Sequence, residues 1–217
     1  MPNFSQLRTT MVDTQVRPSD VTKFPIIQAM LNVPREAFVP ASKRDAAYVG
    51  EHIDLGRGRV VLDPRVFAKM LEEVDIQSNE LVLDLGAGLG YSSAVIAHMA
   101  EAVIAVEDDA EMAAAAANNL MDAGVDNVVV ECATLADGAP QHGPYDVVIL
   151  QGAVETLPDA VLSQVKFGGR IACIFLDGAL GIMKLGYNIN GEINWRPSFN
   201  ATAPVLSGFE AEKTFAL

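Results

Sequence analysis

Three glycines at alternate positions, Gly86, Gly88 and Gly90, end the run LVLDLGAGLGY from Leu81 to Tyr91, and Glu107 ends the next apolar run, AVIAVE, twenty-one residues past Gly86. The glycines let the backbone turn sharply and approach a ligand with no Cβ in the way, and the start of the following helix offers unpaired N–H groups. Glu107, at the C-terminal edge of the neighbouring strand, can accept from both hydroxyls of a ribose. Asp84 stands just before the turn and Ala87, another small residue, within it. The spacing is G-x-G-x-G, not the G-x-G-x-x-G of a dinucleotide site, and no G-K-[ST] grips phosphates. These residues therefore suit a nucleoside without a pyrophosphate. A glycine-rich turn also serves as an ordinary strand-to-helix connection; Glu107 and Asp84 are what point to a ligand.

The elements that must hold these groups follow from periodicity. From Leu81 the chain alternates apolar strand-length runs, 81–85, 102–107, 127–132, 145–151 and 169–176, with helical stretches, the pattern of a mostly parallel sheet covered on both faces. In DDAEMAAAAANNLMDAG, Asp108 is a candidate cap, Glu111 lies three residues on and Gly124 can close the helix. A shorter helix is expected over Pro158 to Val165. After Leu176 the alternation stops: Asn190-Gly191 marks a hairpin, and 210–217, EAEKTFAL, read as a last strand. Before the sheet, 5–16 and 21–33 read as two helices. Residues 48–64 read as loop and short strand, ending in Asp63-Pro64, a helix start in which Asp caps and Pro takes the first turn. The chain is read as one unit over 1–217, with a helical cap and loop over 1–75 and a ligand-binding sheet with its hairpin over 76–217.

Composition narrows the function classes. The net charge is −13 with only 15 Lys and Arg, a poor basis for a nucleic-acid groove. No run of about 18 apolar residues exists to span a membrane. MPNFSQLRTTMVDTQVRP contains no apolar segment of signal-peptide length, so a cytoplasmic protein is expected. Cys132 and Cys173 sit in apolar strand-like runs and are expected as buried free thiols. His52, His98 and His142 have no ligand spacing, and no metal site is expected.

The glycine turn with Glu107 resembles motif I of the S-adenosylmethionine-dependent methyltransferases. Longer stretches, QVRP at 15–18, AMLNVPREAFVP at 29–40, LDLGAGLGYSSAVIA at 83–97 and PYDVVI at 144–149, resemble the protein-L-isoaspartate O-methyltransferase family from about Met11 onward. The resemblance implies a Rossmann-like class I methyltransferase: an α/β fold with a mostly parallel seven-stranded sheet whose final hairpin introduces an antiparallel strand. It implies S-adenosylmethionine as cofactor, held by Asp84, Gly86, Ala87, Gly88, Gly90 and Glu107. The partner it implies is a damaged protein or peptide bearing an isoaspartyl carboxylate, whose methyl ester cyclises and reopens to repair the backbone.

Two positions depart from the family pattern. The loop Thr-x-Ser-Gln-Pro, whose Ser is the usual catalytic residue, falls on Val60, Val61, Leu62, Asp63 and Pro64. Leu62 takes the catalytic position, and Val60 and Asp63 the flanking substrate-binding ones. Without two hydroxyls and an amide, an acceptor carboxylate forfeits about 1–3 kcal/mol per lost partner. At about 5 Å and an effective dielectric near 20, the Asp63 charge adds about 3 kcal/mol of repulsion. The structural alternative is that Leu62 packs inward and Asp63 caps a helix. At the adenine end, where the family carries Gly-Asp-Gly, stand Glu131, Cys132 and Ala133, so Cys132 either meets adenine weakly or packs in the core. The readings left open are an isoaspartyl methyltransferase with an altered acceptor loop, a methyltransferase with a less acidic acceptor, and a non-catalytic binding protein that keeps the fold.

Overall fold

The computed structural model describes residues 3–211. Helix α1 spans Phe4–Met11 and passes into a π-helical segment, Val12–Val16, so the single helix expected over 5–16 is divided. Helix α2, Phe24–Asn32, buries Ile26, Ile27, Ala29 and Met30. Strands β1, Ile53–Gly56, and β2, Arg59–Val61, pair antiparallel as a two-stranded sheet of their own. Helix α3, Pro64–Val74, follows directly, turning Val66, Phe67, Met70, Leu71 and Val74 inward at helical spacing.

The main sheet has the order β5-β4-β3-β6-β7-β8-β9. Its parallel part comprises β3, Leu81–Leu85; β4, Ala102–Glu107; β5, Val128–Cys132; β6, Tyr145–Val154; and β7, Val165–Asp177. Strands β8, Leu180–Ile189, and β9, Glu192–Asn200, add antiparallel to it. Helices α4, Tyr91–Ala97, α5, Ala110–Asp122, and α6, Asp159–Leu162, fill the crossovers. Apolar clusters lie on both faces of the sheet, which is why β3, β4 and β6 are near-continuous Val, Ile and Leu rather than alternating. The chain runs outward from β3 to β5 and then returns to β6 on the other side of β3. That reversal opens a crevice at the C-terminal ends of β3 and β6, where open α/β sheets bind ligands. The register sets Leu85 opposite both Val106 and Leu150, and Glu107 opposite Cys132, so the glycine turn and Glu107 emerge at one level.

The expected elements shift in four places. Asp109, not Asp108, caps α5, accepting from the N–H groups of Glu111 and Met112. The helix expected over 158–165 shortens to α6, and β7 begins at Val165, ahead of the Gly168-Gly169 pair. The hairpin at Asn190-Gly191 forms with both residues at positive φ, 57° and 93°, and its second arm is β9. The strand expected over 210–217 is not seen at Glu210 or Ala211, and 212–217 lie outside the described residues.

The Asp63 cap is as expected: its Oδ1 accepts from the N–H of Arg65 at 2.7 Å and of Val66 at 3.2 Å. Asp63→Ala leaves both donors to water, and a loss of about 1 kcal/mol follows from the usual worth of a cap. Thermal melting checks this; an unchanged midpoint would mean that the cap carries no weight here.

Candidate active site

The floor of the crevice is a buried carboxylate network. Asp84 is fully buried at the end of β3 and accepts from the Ser92 and Ser93 hydroxyls and from Gln151 Nε2, each at 2.6 Å. Burial pushes its carboxyl above the ordinary range and the three donors pull it back. Asp84 thus ties β3 to the first turn of α4 and to β6. It holds the loop from beneath. Ser92, Ser93 and Gln151 were not legible as a set, because they come from two elements that only the sheet brings together.

Above this floor, Gly86, Gly88 and Gly90 all have positive φ, 79°, 56° and 95°, which a residue with a Cβ adopts only at a cost. The N–H groups of Gly86 and Ala87 bond to Val106 O, and that of Gly88 to Glu107 Oε2 at 2.8 Å. The loop is thereby stitched to the end of β4, bringing together the glycines, Ala87 and Glu107 as the sequence implied.

Glu107 is fully buried, and Arg59 of β2 lies against it with Nε 3.2 Å from both carboxylate oxygens. Arg59 Nη2 also reaches Asp108. Burial pushes the Glu107 carboxyl up to about 7, against the pull of Arg59. Leu55 of β1 closes over the loop: a Cβ added to Gly88 would lie 2.7 Å from its Cδ1. Leu206 covers Gly86 and Gly152 from the other side. The space left between Val60, Leu62, Gly86, Ala87 and Tyr91 is about 10 Å³, at the lower limit for one water.

On the acceptor side, Val60, Val61 and Leu62 are all buried, and Leu62 packs inward beside the glycine loop as the structural alternative held. The Leu62 carbonyl accepts from Arg35 Nη2 at 2.8 Å, and Arg35 Nε donates to Ala47 O at 2.7 Å. Arg35 is wholly buried with its guanidinium 4.7 Å from the centre of the Tyr91 ring. It fixes the acceptor loop from within, a role that nothing in the local pattern around VPREAF announces. The Asp63 N–H donates to His52 Nδ1 at 2.8 Å, so the His52 proton resides on Nε2, which faces Thr202 O at 2.7 Å. Next to Asp63 opens a cavity of about 600 Å³, lined by His52 and Arg65 on one side and the 179–182 turn and 200–202 on the other.

Cys132 differs from its expected burial: it is exposed at the C-terminal end of β5, while Cys173 is buried in β7. Strand β5 is an edge strand with only one neighbour, so one side of it faces solvent whatever its composition. Cys132 stands beside Glu107 in the sheet, whereas Glu131 Oε1 is taken by His142 Nε2 at 2.8 Å.

Comparison with known proteins agrees with this architecture. The family model described as protein-L-isoaspartate(D-aspartate) O-methyltransferase matches residues 8–182. Protein-L-isoaspartate O-methyltransferase 2 of Marinobacter nauticus is 35% identical over 169 residues, covering 78% of this chain and 77% of its own. The protein-L-isoaspartate O-methyltransferase of Methanoculleus marisnigri is 32% identical, covering 76% and 74%. Among solved structures, a protein-L-isoaspartate O-methyltransferase superposes with a TM-score of 0.78 at 23% identity, over 94% of this chain and 65% of that one. A Plasmodium falciparum protein, titled as a putative protein-L-isoaspartate O-methyltransferase in complex with S-adenosyl-L-homocysteine, superposes at 0.79 with 15% identity over 95% and 99%. The two structures establish the fold, a Rossmann-like α/β sheet. With the match over 175 of its residues and the identities above, the chain belongs to the protein-L-isoaspartate O-methyltransferase family, a family of S-adenosylmethionine-dependent O-methyltransferases.

Proposed function

We propose that this chain transfers a methyl group from S-adenosylmethionine to the carboxylate of isoaspartyl residues in damaged proteins. The observation that carries the reading is the joining of the glycine loop to Glu107 at the crevice, within a chain of this family. Three glycines at positive φ and a carboxylate at the end of β4 fit a nucleoside and its ribose. The fit requires one rearrangement, because Arg59 and Leu55 of the β1–β2 hairpin stand in the same space. When bound, the cofactor supplies an electrophilic methyl on its sulfonium.

The remaining work falls to the chain. A carboxylate is already a nucleophile, so no general base is needed; the rate comes from alignment and from keeping water out. Val60 and Leu62 provide the dry wall. Arg35 holds the Leu62 carbonyl and with it the path of the loop. The departed hydroxyls leave Arg65, exposed at the rim of the cavity beside Asp63, as the cation that attracts the acceptor. The large acidic excess supports a protein acceptor over a nucleic acid. Unpaired cysteines support a cytoplasmic setting, and no described helix is long and apolar enough to cross a membrane. We read residues 1–217 as one methyltransferase unit, since β1, β2 and the glycine loop build a single site.

A second reading, a less acidic acceptor, is favoured by the buried apolar Val60 and Leu62 and by the Asp63 charge. Labelled-methyl transfer to an isoaspartyl peptide, with the aspartyl peptide as control, separates the two; no transfer to the isoaspartyl peptide by folded, cofactor-binding protein removes the first. Arg65→Ala is expected to raise KM for that peptide about tenfold, the order of one charged hydrogen bond, with kcat changed far less. Equal KM values would take Arg65 out of acceptor binding.

A further inference from the structure

We propose that the β1–β2 hairpin is a latch that holds the nucleoside site shut, with the Arg59 guanidinium standing in place of the ribose hydroxyls. The inference rests on the seating of the nucleoside at Glu107 proposed above and concerns the regulation of that same site.

Glu107 has no acceptor capacity to spare. Oε1 takes hydrogen bonds from Arg59 Nε and from the Asp109 N–H, both at 3.2 Å; Oε2 takes them from Arg59 Nε at 3.2 Å and the Gly88 N–H at 2.8 Å. A ribose can bind only by displacing Arg59. The hairpin is fastened a second time by Arg57 in its turn, which pairs with Asp109 and, at 2.9 Å, with Glu111. The two arginines of this hairpin thus grip the acidic segment Glu107, Asp108, Asp109 and Glu111, and Leu55 lies over Gly88.

The same hairpin is built to be separable. It forms no ladder with the main sheet, so side-chain packing of Ile53, Val60 and Val61 and the ion pairs of its arginines, not backbone hydrogen bonds, hold it over the site. Its turn places Gly56, Arg57 and Gly58 in succession at positive φ, 87°, 53° and 75°, and its register slips between Asp54 and Gly56. Arg57 lies in the left-handed region, which a residue with a Cβ adopts only at a cost. Releasing the guanidiniums lets the turn lift while β2 stays anchored through buried Val60 and Val61. The closed population then reduces the cofactor's apparent affinity in proportion to the fraction of molecules that are open.

The test is calorimetry with S-adenosylhomocysteine on the parent, Arg59→Ala and Arg59→Gln, combined with amide hydrogen exchange over residues 53–61. The Gln variant keeps most of the volume without the charge, in case the Ala variant fails to fold. Both substitutions are expected to speed exchange in the hairpin and to tighten binding about ten- to a hundredfold, the gain available when a state populated at one to ten per cent becomes dominant. A purely structural Arg59 predicts weaker binding or none of this gain. Faster exchange with unchanged, measurable affinity overturns the competition at Glu107 and leaves the seating intact. Faster exchange with no binding by any of the three proteins overturns the seating itself. Unchanged exchange in folded variants shows that the hairpin is not latched by Arg59.

Discussion

Glu107→Ala is expected to lower stability by about 1.5–3 kcal/mol, because Arg59 is left with Asp108 alone and the loss cannot exceed the free energy of lifting the hairpin, which a population open at about one to ten per cent sets. For a protein of this size that is a fall of roughly 5 °C in the melting midpoint. The ligand effect is cleanest with Arg59 already replaced, so that loss of the latch does not mask loss of the ribose acceptor. Arg59→Ala with Glu107→Ala should bind S-adenosylhomocysteine on the order of tenfold to a thousandfold more weakly than Arg59→Ala alone. That range corresponds to two hydrogen bonds to a charged acceptor at about 1.5–3 kcal/mol each, after water replaces part of them. Calorimetry and thermal melting read the two effects separately. Equal affinities in this pair would remove Glu107 from the nucleoside site.

The second large effect belongs to the acceptor loop. Replacing Val60 by Thr, Leu62 by Ser and Asp63 by Gln restores two hydroxyls and an amide and deletes a charge. Isoaspartyl methylation should rise on the order of a hundredfold, about 3 kcal/mol, out of a larger sum of recovered bonds and relieved repulsion that imperfect geometry reduces. Stability should fall at the same time, since Leu62 is 2% exposed. Exchanging its side chain for Ser removes buried apolar volume at about 2–4 kcal/mol, and Asp63→Gln weakens the cap of α3 by about 1 kcal/mol more. Initial rates with labelled cofactor, measured at a temperature where the melt shows the variant folded, decide the outcome. Robust turnover by the parent would show that backbone groups and Arg65 suffice; no gain in a folded, cofactor-binding variant would favour a different acceptor.

These expectations draw unequally on the sequence and on the tertiary structure. Local chemistry carried the glycine turn, Glu107 and the Asp63 cap, because a strand-to-helix turn needs Gly at positive φ and a helix start needs a short polar acceptor within three residues. Periodicity carried the alternating sheet and the Asn190-Gly191 hairpin for the same reason: each depends on neighbours within a few positions. The exposure of Cys132 was hidden because β5 is an apolar run that happens to lie at the sheet edge, and strand order is not a local property. Arg35 and the partners of Asp84 were hidden because Leu62, in the first case, and Gln151, in the second, lie 27 and 67 residues away. Arg59 is the sharpest case. In GRGRVV it has the composition of a solvated turn, yet the fold carries it 48 residues along the chain to the carboxylate expected to bind ribose. The glycines and Glu107 marked where a nucleoside is expected; whether that carboxylate is free was decided only by the packing of β1 and β2 over β4, since a buried charge takes whichever partner the tertiary structure brings within reach.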